Sequence, residues 1–414
     1  MSQKVLLITS GSPVKNLGGP GKFVPMLMEA FYASEVSSRL QLHALMGGRF
    51  YRNPNFDWSE PGQNASLKTL VKGLLKPIFY SLYVPARLWL HFTHRKQQKF
   101  LELIIKEGGY DVVHCHDYLS TVLSNYICKR SSALLIFTNH YKGSLYREAI
   151  APMYPYFRTT KWEKYFRRIE EEAICKADIL TFPSESARDL LIEDFPKFQK
   201  LICEKSKIIY TGIPDPQELL NVAMCPNEKG MQKSPLRVIN IANHIPDKGI
   251  DLALRVFKEL CNVIDVDLHF VNFGQYTPET QRLLALVREL DIDSRVVFKG
   301  IASHSELLKN IASAFLCLHT PRKVVFDLSL LEIMALGVPV IATRVKGNQE
   351  ALGQKYPLFI SLEEPKISEE QIEIVLERRE IVRQALRTRY EERFTISKML
   401  DEYIKLWNTS IARE

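Results

Sequence analysis

The chain has 414 residues, of which 46% are hydrophobic, 25% charged and 10% aromatic, enough apolar material for two ordinary cores. That balance excludes a disordered polyelectrolyte and a low-complexity fibre. Lys and Arg number 55 against 47 Asp and Glu, a formal charge of +8 that carries meaning only where it is concentrated.

Residues 4–9 predict a first strand, 11–21 a glycine-rich loop and 23–33 a helix. The first eight residues hold too short an apolar run for a signal peptide, and nowhere does the chain approach the ~20 apolar residues of a spanning helix. Gly18-Gly19-Pro20-Gly21 can bring bare backbone N–H groups to a phosphate, or can simply form a turn. It matches neither a GxGxxG fingerprint nor a Walker loop.

Residues 67–100 carry Lys68, Lys72, Lys76, Arg87, Arg95, Lys96 and Lys99 and no acidic side chain, interleaved with aliphatic and aromatic residues such as Trp89. Pro77 and Pro85 are expected to break this stretch into pieces. Basic, aromatic-rich helices suit the interface of an anionic membrane, with Lys68, Lys72, Lys76, Arg87 and Trp89 as its contacts. A core helix pair with a solvated basic face is the plainer reading, and nucleic acid a third.

Strands are expected at 111–114, 133–138, 179–182 and 207–210, with helices between. The first of these runs directly into Cys115-His116-Asp117, and ligands of open α/β sheets bind off the carboxyl ends of strands. His116, Asp117 and His140 are therefore candidates for orienting an acceptor hydroxyl or a donor sugar, although a strand-end histidine is as often a satisfied structural group. The seven cysteines, Cys115, Cys128, Cys175, Cys203, Cys225, Cys261 and Cys317, show no metal-ligand spacing and predict reduced core thiols.

A Pro- and Gly-containing segment predicts an inter-domain linker at 214–235. Beyond it the alternation restarts, with strands at 237–242, 267–273, 295–299, 314–319, 338–343 and 357–360 and helices at 249–261, 278–290 and 306–312. A helical tail over 368–411 is expected to bury Ile374, Val375, Leu376, Ile381 and Val382 on one face. In Pro246-Asp247-Lys248-Gly249, between strand and helix, Lys248 projects an ammonium at the carboxyl end of the sheet. Glu332 lies deep in an apolar helix, where a buried carboxylate needs a partner such as a ribose diol; a structural salt bridge or a solvated helix face is the plainer reading. The pairs Asp265/Asp267 and Asp291/Asp293 precede strands, the wrong end for a metal-diphosphate site.

Taken together, Gly18-Gly19, His114-Cys115-His116-Asp117, Pro246-Asp247-Lys248-Gly249, the run from Leu331-Glu332 to Ala342-Thr343 and Arg393-Phe394 resemble glycosyltransferase family 4. The resemblance implies a GT-B fold: two Rossmann-like, doubly wound α/β domains facing across a cleft. The implied division is an acceptor-side domain over 1–213, a donor domain over 236–390 and a closing helix over 391–414 that returns to the N-terminal domain. The implied activity is retaining transfer of a sugar from a nucleotide sugar to a glycan or lipid-linked acceptor, in polysaccharide or glycolipid assembly. The implied enzyme is cytoplasmic, peripheral at the inner face of the membrane, needs no metal or other cofactor and takes no nucleic acid. In such enzymes the glycine loop and the lysine neutralise the donor diphosphate, and the glutamate holds the ribose. Gly18, Gly19, Asn243, Lys248, Asp327, Leu328 and Glu332 are the implied donor contacts, with His116, Lys248 and Glu332 as the catalytic set.

Two positions depart from the family pattern. Val324 stands where an acid precedes Glu332 by eight residues, and Asn243 where an arginine precedes Lys248 by five. Asp327 could replace the acid, and Arg322 or Lys323 the cation. The departures keep open a non-catalytic transferase-like partner subunit, and the same two-domain architecture keeps open a sugar-nucleotide epimerase.

Overall fold

The computed structural model describes residues 3–13, 20–57, 76–77, 79–220 and 235–409. They form two compact units, Met1–Tyr210 with Met399–Glu414, and Thr211–Lys398.

The first unit is built on strands β1 (Gln3–Thr9), β2 (Leu40–Met46), β3 (Arg49–Tyr51), β4 (Val112–Cys115), β5 (Leu134–Thr138), β6 (Ile179–Phe182) and β7 (Ser206–Ile208), in the order β3-β2-β1-β4-β5-β6-β7. All neighbours pair in parallel except β2 and β3. Every residue of β4 and β5 is buried, as expected of strands covered by helices on both faces. The hairpin β2–β3 is not among the strands expected from the sequence. Its signal is present: Leu40, Leu42 and Ala44 alternate before Gly47-Gly48, whose φ values of 54° and 81° make the left-handed turn such a hairpin needs.

Pro85 does not break the basic stretch. It is the third residue of a 26-residue helix, Tyr83–Gly108, where a missing N–H costs no hydrogen bond. The break falls at Leu82, with φ −84° and ψ 82°. The cysteine expectation also needs correction. Cys115, Cys128 and Cys317 are buried, but Cys175 and Cys203 are exposed, and Cys225 lies outside the described residues.

The closing helix Ile396–Asn408 belongs to the first unit from Met399 onward. Trp407 is fully buried there: its carbonyl accepts from Gln3 Nε2 at 2.7 Å and its indole donates to His114 Nδ1 at 3.3 Å.

In the second unit β8 (Leu236–Ile241), β9 (Leu268–Phe273), β10 (Val296–Phe298), β11 (Leu316–His319), β12 (Val340–Thr343) and β13 (Phe359–Ile360) form an all-parallel sheet in the order β10-β9-β8-β11-β12-β13. The helix Ile250–Val263 turns a strongly apolar face to it, burying Leu252, Ala253, Val256, Phe257 and Leu260. Asp265 and Asp267 lie just before β9, and Asp293 lies in the turn before β10, away from the carboxyl edge.

Part of the segment expected to be a linker is ordered with this unit. Pro216–Leu220 is a short helix, and Asp215 Oδ1 accepts from Arg387 at 2.9 Å. Residues 221–234 lie outside the described residues. The tail is three helices, Glu369–Leu376, Arg379–Arg393 and Ile396–Asn408. Ile374, Val375 and Val382 are buried as expected, but Leu376 and Ile381 are 47% and 67% exposed, because the helix breaks at residues 377–378 and the apolar stripe does not continue across the junction.

Candidate functional site

In each sheet the strand order reverses at one place, between β1 and β4 in the first unit and between β8 and β11 in the second. Crossovers diverge at such points and leave a crevice at the carboxyl edge, where ligands of this architecture bind. The candidate residues stand there.

In the first unit Asp117 follows β4 and caps the helix Tyr118–Ser131. Its carboxylate accepts from Ser120 N at 2.9 Å, Ser120 Oγ at 2.8 Å and Ser10 N at 2.8 Å, so it ties the loop after β1 to the helix start. His116, beside it, is fully buried. Its Nδ1 meets His140 Nε2 at 3.0 Å, while its Nε2 is buried with no hydrogen-bonding partner. Phe23 lies against both rings, at 5.4 and 4.8 Å between centroids.

His114 supports this pair from below. Because an indole N–H only donates, Trp407 obliges His114 Nδ1 to accept, and His114 Nε2–H then donates to Thr138 Oγ1 at 2.6 Å. Burial pushes His114 and His140 down to about 3 and holds His116 well below the usual imidazole range. The cluster is therefore a set of neutral imidazoles at neutral pH, able to exchange hydrogen bonds with hydroxyls without bringing charge. Gly18 and Gly19 lie outside the described residues.

The second unit gathers the remaining candidates. After β8 the short turn Pro246–Lys248 ends at Gly249, whose φ is +60°. A Cβ there would lie 1.9 Å from the Thr320 carbonyl oxygen just past β11, so only glycine lets the turn seat against that strand end. Lys248 thereby reaches Asp327, with Nζ 2.5 Å from Oδ2.

Asp327 caps the helix Leu328–Ala335, its Oδ1 accepting from Ser329 N at 3.1 Å and Ser329 Oγ at 2.8 Å. Burial alone would raise this carboxyl, but the Lys248 charge and the bonds from Lys248 and Ser329 hold it well below the usual range. In turn the Asp327 charge raises the Lys248 ammonium against the effect of burial. Leu328 opens the helix, half-buried, and Glu332, five residues beyond Asp327, is 6% exposed. Its Oε1 pairs with His304 Nε2 at 2.7 Å. The partner demanded by the buried glutamate is thus a histidine from a helix 28 positions earlier, a pairing no local pattern announces.

The two departures also acquire positions. Val324 is buried at 7% exposure, with no acid in its place. Asn243 is exposed, and its Oδ1 accepts from Gln275 N at 2.8 Å. Arg322 does not supply the missing cation. Both its terminal nitrogens are bound to the Asp251 carboxylate at 2.8 and 2.7 Å, a bidentate pair that commits the charge elsewhere. Lys323 is exposed. His319, at the end of β11, was not among the candidates; burial pushes it down to about 4, with Asp327 acting to raise it and Lys248 to lower it.

Of the candidate membrane contacts, Lys76 is exposed and Trp89 is 50% exposed, whereas Lys68 and Lys72 lie outside the described residues. Arg87 is half-buried, its guanidinium 4.2 Å from the centre of the Tyr165 ring. No helix among the described residues is long and apolar enough to cross a membrane.

Two parallel α/β units with their candidate residues at both switch points define the GT-B class of glycosyltransferase folds. Sucrose-phosphate synthase from Thermosynechococcus elongatus has the same fold, with a TM-score of 0.65 at 19% identity over 100% of both chains. The family model for glycosyl transferases group 1 matches residues 226–393, and that for Glycosyltransferase Family 4 matches residues 62–215. The chain belongs to glycosyltransferase family 4. It is 34% identical to N-acetyl-alpha-D-glucosaminyl L-malate synthase of Bacillus anthracis over 125 residues, 30% of this chain and 32% of that one. It is 26% identical to the O-antigen biosynthesis glycosyltransferase WclY of Escherichia coli over 206 residues, 49% of this chain and 56% of that one. The chain thus spans about a third of the first relative and just over half of the second.

Proposed function

We propose that this protein transfers a sugar, with retention of configuration, from a nucleotide-sugar donor to a glycan or lipid-linked acceptor, and that it needs no metal to do so. One observation carries the reading: Lys248 is bonded to the capping residue of the helix that bears Glu332, so a cation and a buried carboxylate share the carboxyl edge of the second sheet.

Departure of a nucleoside diphosphate builds negative charge on the leaving phosphate, and a preorganised ammonium stabilises that charge. Lys248 Nζ supplies it by exchanging the Asp327 carboxylate for phosphate oxygens. Glu332, held by His304, accepts hydrogen bonds from ribose hydroxyls. His116 Nε2, buried and neutral, orients a sugar hydroxyl from the acceptor-side unit. The names of the two relatives, an N-acetyl-alpha-D-glucosaminyl L-malate synthase and an O-antigen biosynthesis glycosyltransferase, agree with this class.

Calorimetry with UDP and GDP, followed by incubation with a panel of nucleotide sugars, tests the reading. Binding weakened about 10- to 100-fold in Lys248→Ala, together with donor turnover or hydrolysis, supports it. Absence of nucleotide binding, or binding indifferent to Lys248→Ala, removes it. A second reading, a transferase-like subunit without catalysis, is favoured by the apolar Val324 and by the prior pairing of Lys248 with Asp327. Tight nucleotide binding without turnover of any donor would select it.

The membrane is proposed as the place of work. Val84, Leu88 and Phe92 recur at four-residue spacing on the helix Tyr83–Gly108 and are 65%, 55% and 61% exposed, followed by exposed Arg95, Lys96 and Lys99. Flotation with anionic vesicles, abolished by Leu88→Ser with Phe92→Ser, is the expected result; no flotation of the native chain removes this claim.

A further inference from the structure

The first unit contains a cavity of about 330 Å³, within the size range of small-molecule sites. One end is formed by Ser10 and Asp117, at the carboxyl ends of β1 and β4. Elsewhere its walls include Tyr80, which precedes the helix Tyr83–Gly108, Leu90 on that helix, Ile150 and Phe157 from the segment after β5, and Phe166 and Ile169 from the helix Thr160–Lys176.

We infer that this cavity seats the apolar tail of an amphipathic acceptor whose hydroxyl-bearing head lies at Ser10 and Asp117. The inference rests on the transferase reading only for the word acceptor; the seat itself is argued from its walls.

Polar ligands are poorly served there. The Glu170 carboxylate already accepts from Ser144 Oγ at 2.9 Å and Tyr146 N at 3.0 Å, and Tyr118 Oη donates to the Gly143 carbonyl at 3.2 Å. A buried sugar would leave its hydroxyls without partners against the remaining aromatic and aliphatic wall. Phosphate is no better served, since no Lys or Arg lines the cavity among the described residues and burial and the nearby Arg87 push the His94 ring toward neutrality. The Tyr80, Tyr141 and Tyr165 hydroxyls and the His94 ring add polar atoms to the wall, that of Tyr165 buried without a partner, but most of the lining is aliphatic and aromatic carbon. At ~30 Å³ each, about ten water-sized groups fill the space, which a medium alkyl or isoprenoid segment does. The surface of the helix that forms one wall is apolar too. Leu90 and His94 lie on the same helix as exposed Leu88, Trp89 and Phe92, so the helix that walls the cavity also presents hydrocarbon to solvent.

A series of alkyl β-D-glucosides, methyl to octyl, each below its micelle concentration, reads the seat by calorimetry on the full chain. Affinity is expected to rise about three- to fourfold per added methylene until the cavity is full. Leu90→Trp and Ile150→Phe, which fill the space, are expected to flatten that rise while leaving methyl glucoside and UDP binding unchanged. Should one variant fail to fold, the other serves. Independently, hydrogen exchange should show octyl glucoside, and not methyl glucoside, protecting residues 145–170. Affinity indifferent to chain length overturns the proposal. So does a chain-length effect that survives filling and disappears with Trp89→Ser and Phe92→Ser, which places the chain on the helix surface. Loss of UDP binding alone, with the chain-length series intact, sinks the transferase reading and not the seat.

Discussion

Lys248 and Asp327 are paired at 2.5 Å, so the cation that would meet a donor phosphate already has an anion in place. Lys248 is the candidate for the diphosphate, and Asp327 is its internal competitor. Asp327 also caps the Glu332 helix, which makes the substitution Asp327→Asn informative, because asparagine caps a helix as well as aspartate does. Asp327→Asn should bind UDP about tenfold more tightly than the native chain by calorimetry, since the ammonium no longer has to leave a carboxylate. Its unliganded form should be less stable than the native chain in urea, because a largely buried lysine loses its partner. Unchanged UDP affinity would show that Lys248 stays with residue 327 when nucleotide binds.

Glu170 makes stability depend on pH. Burial raises its carboxyl from 4.5 to about 7, against bonds from Tyr146 and Ser144 that lower it. The folded chain therefore holds this proton more tightly than the unfolded chain between those values, and stability falls as pH rises through the window. The loss amounts to about 3 kcal/mol between pH 4.5 and 8, an order-of-magnitude figure at 1.36 kcal/mol per pH unit. Urea unfolding of Glu170→Gln should lack this slope. A native chain equally stable at pH 5 and pH 8 would mean that the carboxylate is better solvated than its 2% exposure indicates.

Gly249→Ala should be severe. A methyl group at φ +60° meets the Thr320 carbonyl at 1.9 Å, and backbone cannot yield as a side-chain tip can. The strained conformation costs about 1–2 kcal/mol before the clash is counted, so a loss above 2 kcal/mol in chemical denaturation is expected. UDP binding should weaken with it, because the turn that presents Lys248 is displaced.

Glu332 depends on His304. Removing the ring in His304→Ala leaves a buried carboxylate oxygen without its donor, a cost of about 1–3 kcal/mol. Thermal unfolding should show that loss, and saturating UDP should recover part of it if ribose hydroxyls take the vacated position. No recovery would place the ribose away from Glu332.

Trp407 anchors the closing helix to the first unit. Trp407→Ala removes a fully buried indole that donates to His114, and should cost about 3–5 kcal/mol by urea unfolding. The activity of Trp407→Phe, which keeps the packing and frees His114 Nδ1, reports whether the histidine tautomer matters apart from stability.

Much was legible along the chain. The alternation of short apolar runs with amphipathic helices announced two parallel sheets, because a strand covered on both faces must be apolar throughout, as β4 and β5 are. The run through Glu332 and the Lys248 turn carried the family signal on contiguous residues. The hairpin β2–β3 is absent from the sequence expectations and the helix through Pro85 contradicts them because both depend on position: a Gly-Gly pair matters only between pairing strands, and a proline only beyond the first helical turn.

Local spacing thus determined which elements form and which chemistry-bearing groups stand at strand ends, since a strand and the loop after it are neighbours in chain as in space. Only tertiary packing decided what those groups touch. His304 reaches Glu332 across 28 positions, Asp327 reaches Lys248 across 79, and Trp407 reaches His114 across 293. Hydrogen bonds and charge act over a few ångströms of space, and no periodicity in a linear chain reports which distant residues folding brings that close.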